Sequence, residues 1–563
     1  MKSGIAYLLV GVILAAGSAL ADKTWTGAAN TDFEDGGNWG GTAPTNDTTT
    51  DIAIFNGAAP ANQPVLTTNR SVRGIQFSGG GANWNLFTNA APGAPFTLTV
   101  GTYGVRNTGG NNGDSNTVNT NAVLSVSGTT DIRTHNENLF IRARITGTGD
   151  LRFDGTISDN NQRSIYLYGD NDYSGTSTIV DDAYVNIFHP NALGTASNTV
   201  VVYGGGGSFR EWADLAVRGS TAPYLNANKT IQIGHDNGTP TNHNDDVGYG
   251  RLFIGAGVTL ANDIDVYGQP NTYGVPNGTL IPVDQSGVRY VTGTITVHSN
   301  AVLRVSRYSP AGGVMYLNRD SGGTVLGKIT GPGRVFHAWS GSSYNQDIYI
   351  YGTNDYTGGT TMGVDWGCGN DIRVYSDAAF GSGPVYLQAN ASYPTYPHFR
   401  LGANVMMPND FRAGNSADIA TGSFVLTTTG AIRPGDTGLA AVPAKNIGRL
   451  DVEDLQFGSD TDGCTYYWQY DETGSDRIAA TTLAFGSCGN VVNCEWLGAG
   501  DPPTPPETGT SYVLFTYSGA DPDDVPWTVK HRGRDLDGHV TVDSVNKRVL
   551  LTLYVRPTLI RVK

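Results

Sequence analysis

Charged side chains are scarce in this chain: Asp, Glu, Lys and Arg make up 15% of 563 residues, against about 25% in ordinary soluble domains. No amphipathic helical period runs longer than a few turns, which argues against a helical architecture. The 35 basic residues are dispersed and outnumbered by 50 acidic ones, for a net charge of −15. Nucleic acids and anionic membrane surfaces want a basic patch, and none is present. Beyond residue 21 no apolar run is long enough to span a bilayer. Cysteine is limited to Cys368, Cys464, Cys488 and Cys494; without a Cys-x-x-Cys pair, a zinc site is not expected. A Gly-x-Ser-x-Gly elbow, a P-loop and a dinucleotide fingerprint are all missing.

Glycine, by contrast, is abundant at 76 residues, about twice the usual ~7% share. It has no period of three, which excludes collagen. Short β segments separated by Gly, Asn and Asp recur along the chain, the signature of an all-β protein. Residues 1–21 read as a targeting segment. Lys2 supplies the positive start, Ile5 to Ala16 the apolar stretch, and Ala19-Leu20-Ala21 the small-x-small cleavage signature. The mature chain is therefore expected to begin at Asp22, exported and soluble.

A stretch of about fifty residues occurs twice. The first copy runs Ile145-Thr146-Gly147-Thr148-Gly149, Ile165-Tyr166-Leu167-Tyr168-Gly169, Asn171-Asp172-Tyr173-Ser174-Gly175, Asn191-Ala192-Leu193-Gly194. The second runs Ile329-Thr330-Gly331-Pro332-Gly333, Ile348-Tyr349-Ile350-Tyr351-Gly352, Asn354-Asp355-Tyr356-Thr357-Gly358, Ala378-Ala379-Phe380-Gly381. The order is kept and the spacers stretch, as a stacked β architecture requires. Alternation places Ile165, Leu167, Ile348 and Ile350 on one face, and Tyr166, Tyr168, Tyr349 and Tyr351 on the other. Aliphatics inside and tyrosines outside is the simplest assignment. The four tyrosines are thus a candidate outward contact face, either stacking on sugars or docking another chain, or else simply covering rung edges.

These residues carry a resemblance. Gly-x-Gly, a short strand, Asn-Asp-Tyr-Ser/Thr-Gly and an Ala-Leu-Gly closure resemble the autotransporter-associated β-strand repeat family of bacterial exported proteins. The opening Trp25-Thr26-Gly27, Asn38-Trp39 and Pro44 are similar to N-termini common in that group. Gly430-Ala431-Ile432-Arg433-Pro434-Gly435-Asp436 and Gly474-Ser475-Asp476-Arg477-Ile478 resemble elements that often follow the repeats. The resemblance implies a right-handed parallel β-helix on a secreted or surface-bound protein. On this reading neither the C-terminal outer-membrane barrel of true autotransporters nor a sorting anchor is expected in this chain.

The expected organisation is a signal peptide over 1–21, an N-terminal cap over 22–60, a parallel β-helix over 61–430 and a C-terminal β domain over 431–563. In the cap, Trp25 and Trp39 would cover the open end of the stack. Coils of ~20–25 residues rising ~4.8 Å each would give about 16 turns and a rod near 75 Å. The C-terminal part, sandwich-like or a distorted end of the solenoid, is marked by Pro502-Pro503-Thr504-Pro505-Pro506, by Asp521-Pro522-Asp523-Asp524 and by three cysteines. An even cysteine count in an oxidising compartment permits two bridges, and proximity favours one among Cys464, Cys488 and Cys494, with Cys368 taking the leftover thiol or staying free.

Chemistry has three candidate places. Asp172 and Asp355 stand in a repeated turn, whereas a catalytic constellation occurs once; side-chain-to-backbone turning is favoured there. His235-Asp236-Asn237-Gly238 through His243-Asn244-Asp245-Asp246 is the densest set of ligand-type side chains, and its spacing matches no metal signature. Ser459-Asp460-Thr461-Asp462-Gly463 partly resembles a calcium loop but lacks a distal Glu. No cofactor is expected, with calcium a weak alternative. The leading expectation is a non-enzymatic surface or matrix component that adheres or self-associates, its partners being itself or surface glycans. A polysaccharide lyase or glycoside hydrolase of β-helix fold is the alternative, as is a carbohydrate-binding protein. A wall groove holding carboxylates with Arg or Lys would favour the enzyme.

Overall fold

The computed structural model describes residues 22–554, apart from 80–82, 94, 110–114, 136, 157–163, 205–212, 219–223, 236–249, 269–277, 283–286, 306–312, 340–345, 365–370, 384, 390–397, 402–410, 416–430, 434–448, 458–464, 471–473, 488, 497–507 and 532–533. The expected targeting segment 1–21 lies outside them.

The chain winds as a parallel β-helix. In its middle each turn lays one strand on each of three sides. Leu151–Thr156, Ser177–Val180, Thr199–Tyr203, Thr230–Ile233, Ile264–Val266, Ile295–Val297 and Ile329–Thr330 pair in succession as one parallel ladder, the first wall. The second wall runs in the same way from Asn85–Leu86 through Ser164–Leu167, Gly250–Ile254 and Arg334–Trp339 to Arg449–Phe457 and Arg477–Phe485. The third side carries Ala122–Val126 against Arg144–Gly147, and further on a ladder from Thr259–Leu260 to Trp527–His531.

The interior is set by alternation. One first-wall column reads Ala53, Ile75, Val105, Ile132, Phe153, Ile179, Val202, Ile233, Val266, Val297, each against the next. All are buried. Stacking like on like fills the bore at interior density, and each such side chain contributes about 1.5–3 kcal/mol by leaving water.

Turns are longer than expected. Ser164 lies against Tyr184, 20 residues on, but Leu151 against Ser177, 26 on, and Asp214 against Arg251, 37 on. Residues 61–430 therefore hold fewer turns, and make a shorter rod, than a 20–25-residue coil implies. The two repeat copies also occupy different sides. Leu151 of the first belongs to the first wall, while its counterpart Val335 belongs to the second. Six turns of the first wall separate Leu151 from Ile329, so the copies are six turns and one wall apart.

Both ends are plugged by aromatics. At the N-terminus Trp25 and Trp39 pack edge to face at 5.0 Å, with Phe33 and Phe55 beside them. The indole N–H groups donate to Asn62 O and Phe33 O. Asn38, fully buried, holds the cap loop with every amide atom engaged: its oxygen accepts from the Ala29 and Asn30 N–H groups, and its nitrogen donates to Asn30 Oδ1 and Asp32 O. The expected cap is therefore present, built on those two tryptophans.

At the other end the C-terminal part takes the form of a distorted solenoid end. The parallel ladders continue through Thr465–Tyr470, Asn490–Trp496 and Trp527–His531. They close with antiparallel pairing of Ser511–Tyr517 to Arg548–Leu553, of Arg548–Leu553 to Gly538–Asp543, and of Trp527–His531 to Arg534–Asp535. Phe457, Phe485, Phe515 and Trp527 fill the bore there. An antiparallel last strand cannot template another parallel turn.

Candidate functional surfaces

The repeated Asn-Asp-Tyr motif is where side chains fix the winding. Asn171 and Asn354 are buried between successive turns. Asn171 Oδ1 accepts from the Ile145 N–H of the preceding turn at 2.7 Å, and its Nδ2 donates to Ala192 O of the next at 2.6 Å. Asn354 repeats this with Ile329 N–H at 2.7 Å and Ala379 O at 2.6 Å. One amide thus ties three turns. Tyr173 and Tyr356, both fully buried, bond their hydroxyls to Ser177 Oγ and Thr360 Oγ1 four residues on. Burial pushes both phenols well above the usual tyrosine range. Between them Asp172 and Asp355 point outward to Arg144 (2.9 Å) and Lys328 (2.6 Å), and the bond from Lys328 holds Asp355 below the usual carboxylate range. The glycines are steric. Gly147 and Gly331 have φ of 109° and 101°, and a Cβ there would meet Val126 O at 2.0 Å or Val297 O at 2.3 Å. The motif aspartates are surface ion pairs, in keeping with a structural role.

The outward tyrosines form stacks. On the second wall Tyr166 lies 4.4 Å from Phe140 with planes 8° apart, and Tyr168 4.6 Å from Phe188 at 9°. Arg142 covers Tyr168 at 4.8 Å. On the third side Tyr290, Tyr316 and Tyr349 stack at 5.2 and 4.8 Å, and Tyr351 stacks on Tyr375 at 4.5 Å with planes 4° apart. Arg319 lies 4.5 Å over Tyr351 and donates to its hydroxyl at 2.7 Å; Arg373 lies 5.2 Å over Tyr349. Tyr166, Tyr168 and Tyr351 are partly exposed, as expected, but Tyr349 is fully buried, because neighbouring rings and the guanidinium cover it. A sugar stacks on an open ring face, whereas these faces are spent on one another and on arginines.

A charged grid, not singled out from the sequence, lines the first wall. Asp131-Ile132-Arg133 and Arg152-Phe153-Asp154 lie in register on adjacent turns with opposite charge order. Arg152 reaches Asp154 at 2.7 Å, Asp181 at 3.5 Å and Asp131 at 3.9 Å, while Arg106 holds Asp131 at 2.8 Å. Asp154 is nearly buried, and that burial raises its pKa against the pull of Arg133 and Arg152. The mirrored triplets, with an apolar inward residue between opposite charges, are the signal that would have found it. On the second wall Asp214, fully buried, receives a bidentate fork from Arg251 at 2.6 and 2.5 Å.

Cys494 is buried with a free thiol, so it takes no part in the expected bridge. Burial pushes that thiol up to about 12, leaving it unreactive. Cys368, Cys464 and Cys488 lie outside the described residues, as do Asp236–Asp246 and Ser459–Gly463; of the ligand-rich loop only His235 is described, its ring edge-on to Tyr203 at 4.9 Å. Among the described residues no three His, Cys, Asp or Glu side chains gather as a metal site, and no helix is long and apolar enough to cross a membrane.

No protein-family model matches this chain, and no curated protein is significantly similar to it.

Proposed function

We propose that this chain is an exported, non-enzymatic β-helix protein that serves as a structural or adhesive component of a cell surface or extracellular matrix. The resemblance to autotransporter-associated repeats belongs to the same proposal. The observation that carries it is how the outward polar and aromatic groups are used. The motif aspartates, the first-wall carboxylates and Asp214 are matched to guanidinium or ammonium groups, and the tyrosine faces are matched to each other. Groups so engaged build a wall rather than a reaction centre. The antiparallel closure of the C-terminal end further disfavours end-to-end association through parallel pairing at that end.

One observation favours a second reading, a polysaccharide-degrading enzyme. Arg152 with Asp131, Asp154 and Asp181 is a set of carboxylates with arginine on a solenoid wall, and the buried Asp154 has the raised pKa a general acid uses. The two are separated by incubating the full chain with neutral and uronic-acid polysaccharides and measuring new reducing ends. The expected result is none above background. Depolymerisation that disappears in Asp154→Asn would replace the structural reading with the enzymatic one. A glycan-array comparison tests the sugar-binding alternative: Tyr351→Ala with Tyr375→Ala is expected to leave the binding profile unchanged, since the two rings stack on each other and Arg319 covers Tyr351.

A further inference from the structure

One second-wall column crosses the middle of the rod as Leu139, Ile165, Val185, Leu215, Leu252, Leu280 and Val305, then His337, then Met362, each in register with the next. The strand alternates Val335 in, Phe336 out, His337 in, so the imidazole occupies a place that the seven turns before it, from Leu139 to Val305, and the turn after it, at Met362, fill with apolar side chains. It is 1% exposed, and its Nδ1 is buried without a hydrogen-bond partner. Phe380 faces it edge-on at 6.3 Å. The ionisable groups on the described elements packed against it are Arg304, Arg334, Asp355, Tyr356 and Asp377, of which Asp355 is exposed and pairs with Lys328. Arg304 and Arg334 alternate to the outside, Asp377 is exposed, and Tyr356 commits its hydroxyl to Thr360. No carboxylate among them faces the ring.

We propose that the turn containing His337 is an acid-labile joint: protonation of that buried imidazole opens the β-helix between Val305 and Met362 while the turns on the N-terminal side stay closed. A cation there is shut off from solvent and faces no counter-charge among the described residues, so the chain accepts the proton by exposing the ring. The direction agrees with the depression of the His337 pKa by burial from 6.5 to about 3. The folded value lies below the unfolded one, so stability is complete above the unfolded value. It is lost as pH falls through the window from 6.5 down to about 3. Within that window each pH unit shifts the opening equilibrium about tenfold.

Amide hydrogen exchange of the full chain at about pH 7 and about pH 4.5, corrected for intrinsic rates, tests the joint. Peptides covering 302–305, 334–337 and 360–362 are expected to lose roughly 100-fold of protection at the lower pH. Those covering 122–126 and 151–154 are expected to keep theirs, and His337→Met, matching the next residue of the column, should abolish the loss. Equal protection at both pH values, or an undiminished loss in His337→Met, overturns the proposal. The unmodified chain supplies a second readout through exchange of the imidazole C2 hydrogen. His337 is expected to stay unprotonated while the turn is closed, and ordinary titration near 6.5 with protection intact would equally overturn it.

Discussion

Asn354→Ala is expected to cost about 3–5 kcal/mol, while Asp355→Ala, one residue away, costs less than about 1 kcal/mol. The same disparity is expected between Asn171→Ala and Asp172→Ala. Removing the Asn354 amide orphans two buried backbone groups together, the Ile329 N–H and the Ala379 carbonyl. Each carries a desolvation cost of about 1–3 kcal/mol. Removing Asp355 breaks one exposed pair with Lys328 whose members both stay hydrated. Asn354→Asp is expected to fare no better than alanine, because a carboxylate oxygen would then face the Ala379 carbonyl. Chemical denaturation of the four alanine variants measures the differences directly. Equal losses for the Asn and Asp variants would mean that the motif is held by its exterior, and the reading of the repeat as a tie between turns would fall.

That motif was legible as a repeat because it is fixed by direct bonds that tolerate no substitute: an amide with a donor and an acceptor end, a glycine beneath a carbonyl, a hydroxyl four residues from a serine or threonine. The burial of its residues was not legible. Asn-Asp-Tyr is a polar run and reads as an exposed turn, whereas two of the three side chains are interior in each copy. Alternation told which way Tyr166, Tyr168, Tyr349 and Tyr351 point, since a strand has only two faces, but not what lies over them. Tyr349 is outward by parity and yet closed off by Tyr316 and Arg373. The placement of the copies on different walls was hidden for a related reason. Sequence offset counts residues, and turns of 20 to 44 residues make that count a poor measure of angle. Inside the bore the walls are chemically alike, so a motif shifted by one wall still meets aliphatic neighbours.

At the C-terminus, the change of texture after residue 430 reflects what the loops contain. The acidic run 521–524 lies between Ser511–Tyr517 and Trp527–His531, strands that remain in the same parallel ladders as those before them. Composition registers loops as strongly as strands, and loops are where such residues gather. Paired charges were the least legible of all. Asp214 and Arg251 are 37 residues apart and meet only because the winding sets them side by side on adjacent turns.

That pair should give the largest loss of any exterior substitution. Arg251→Ala is expected to destabilise the chain by about 3–5 kcal/mol, since it strips the bidentate partner from a carboxylate with no exposed surface. Arg251→Lys should recover only part of this, because a single ammonium cannot reproduce two parallel bonds to one carboxylate. Replacing both residues by leucine removes the buried charge along with its counter-charge, and the double variant is expected to lie closer to the native chain than Arg251→Ala alone. The comparison separates two roles that look alike in a static wall. If the pair itself held the turns together, the double variant would be as unstable as the single one. If the cost is that of an abandoned charge, the leucine pair, flanked by Ala216 and Phe253 on the same face, restores most of it. A denaturation cycle over the four chains reads the difference, and a loss below about 1 kcal/mol for Arg251→Ala would show that the Asp214 charge is met in the folded wall by groups other than Arg251.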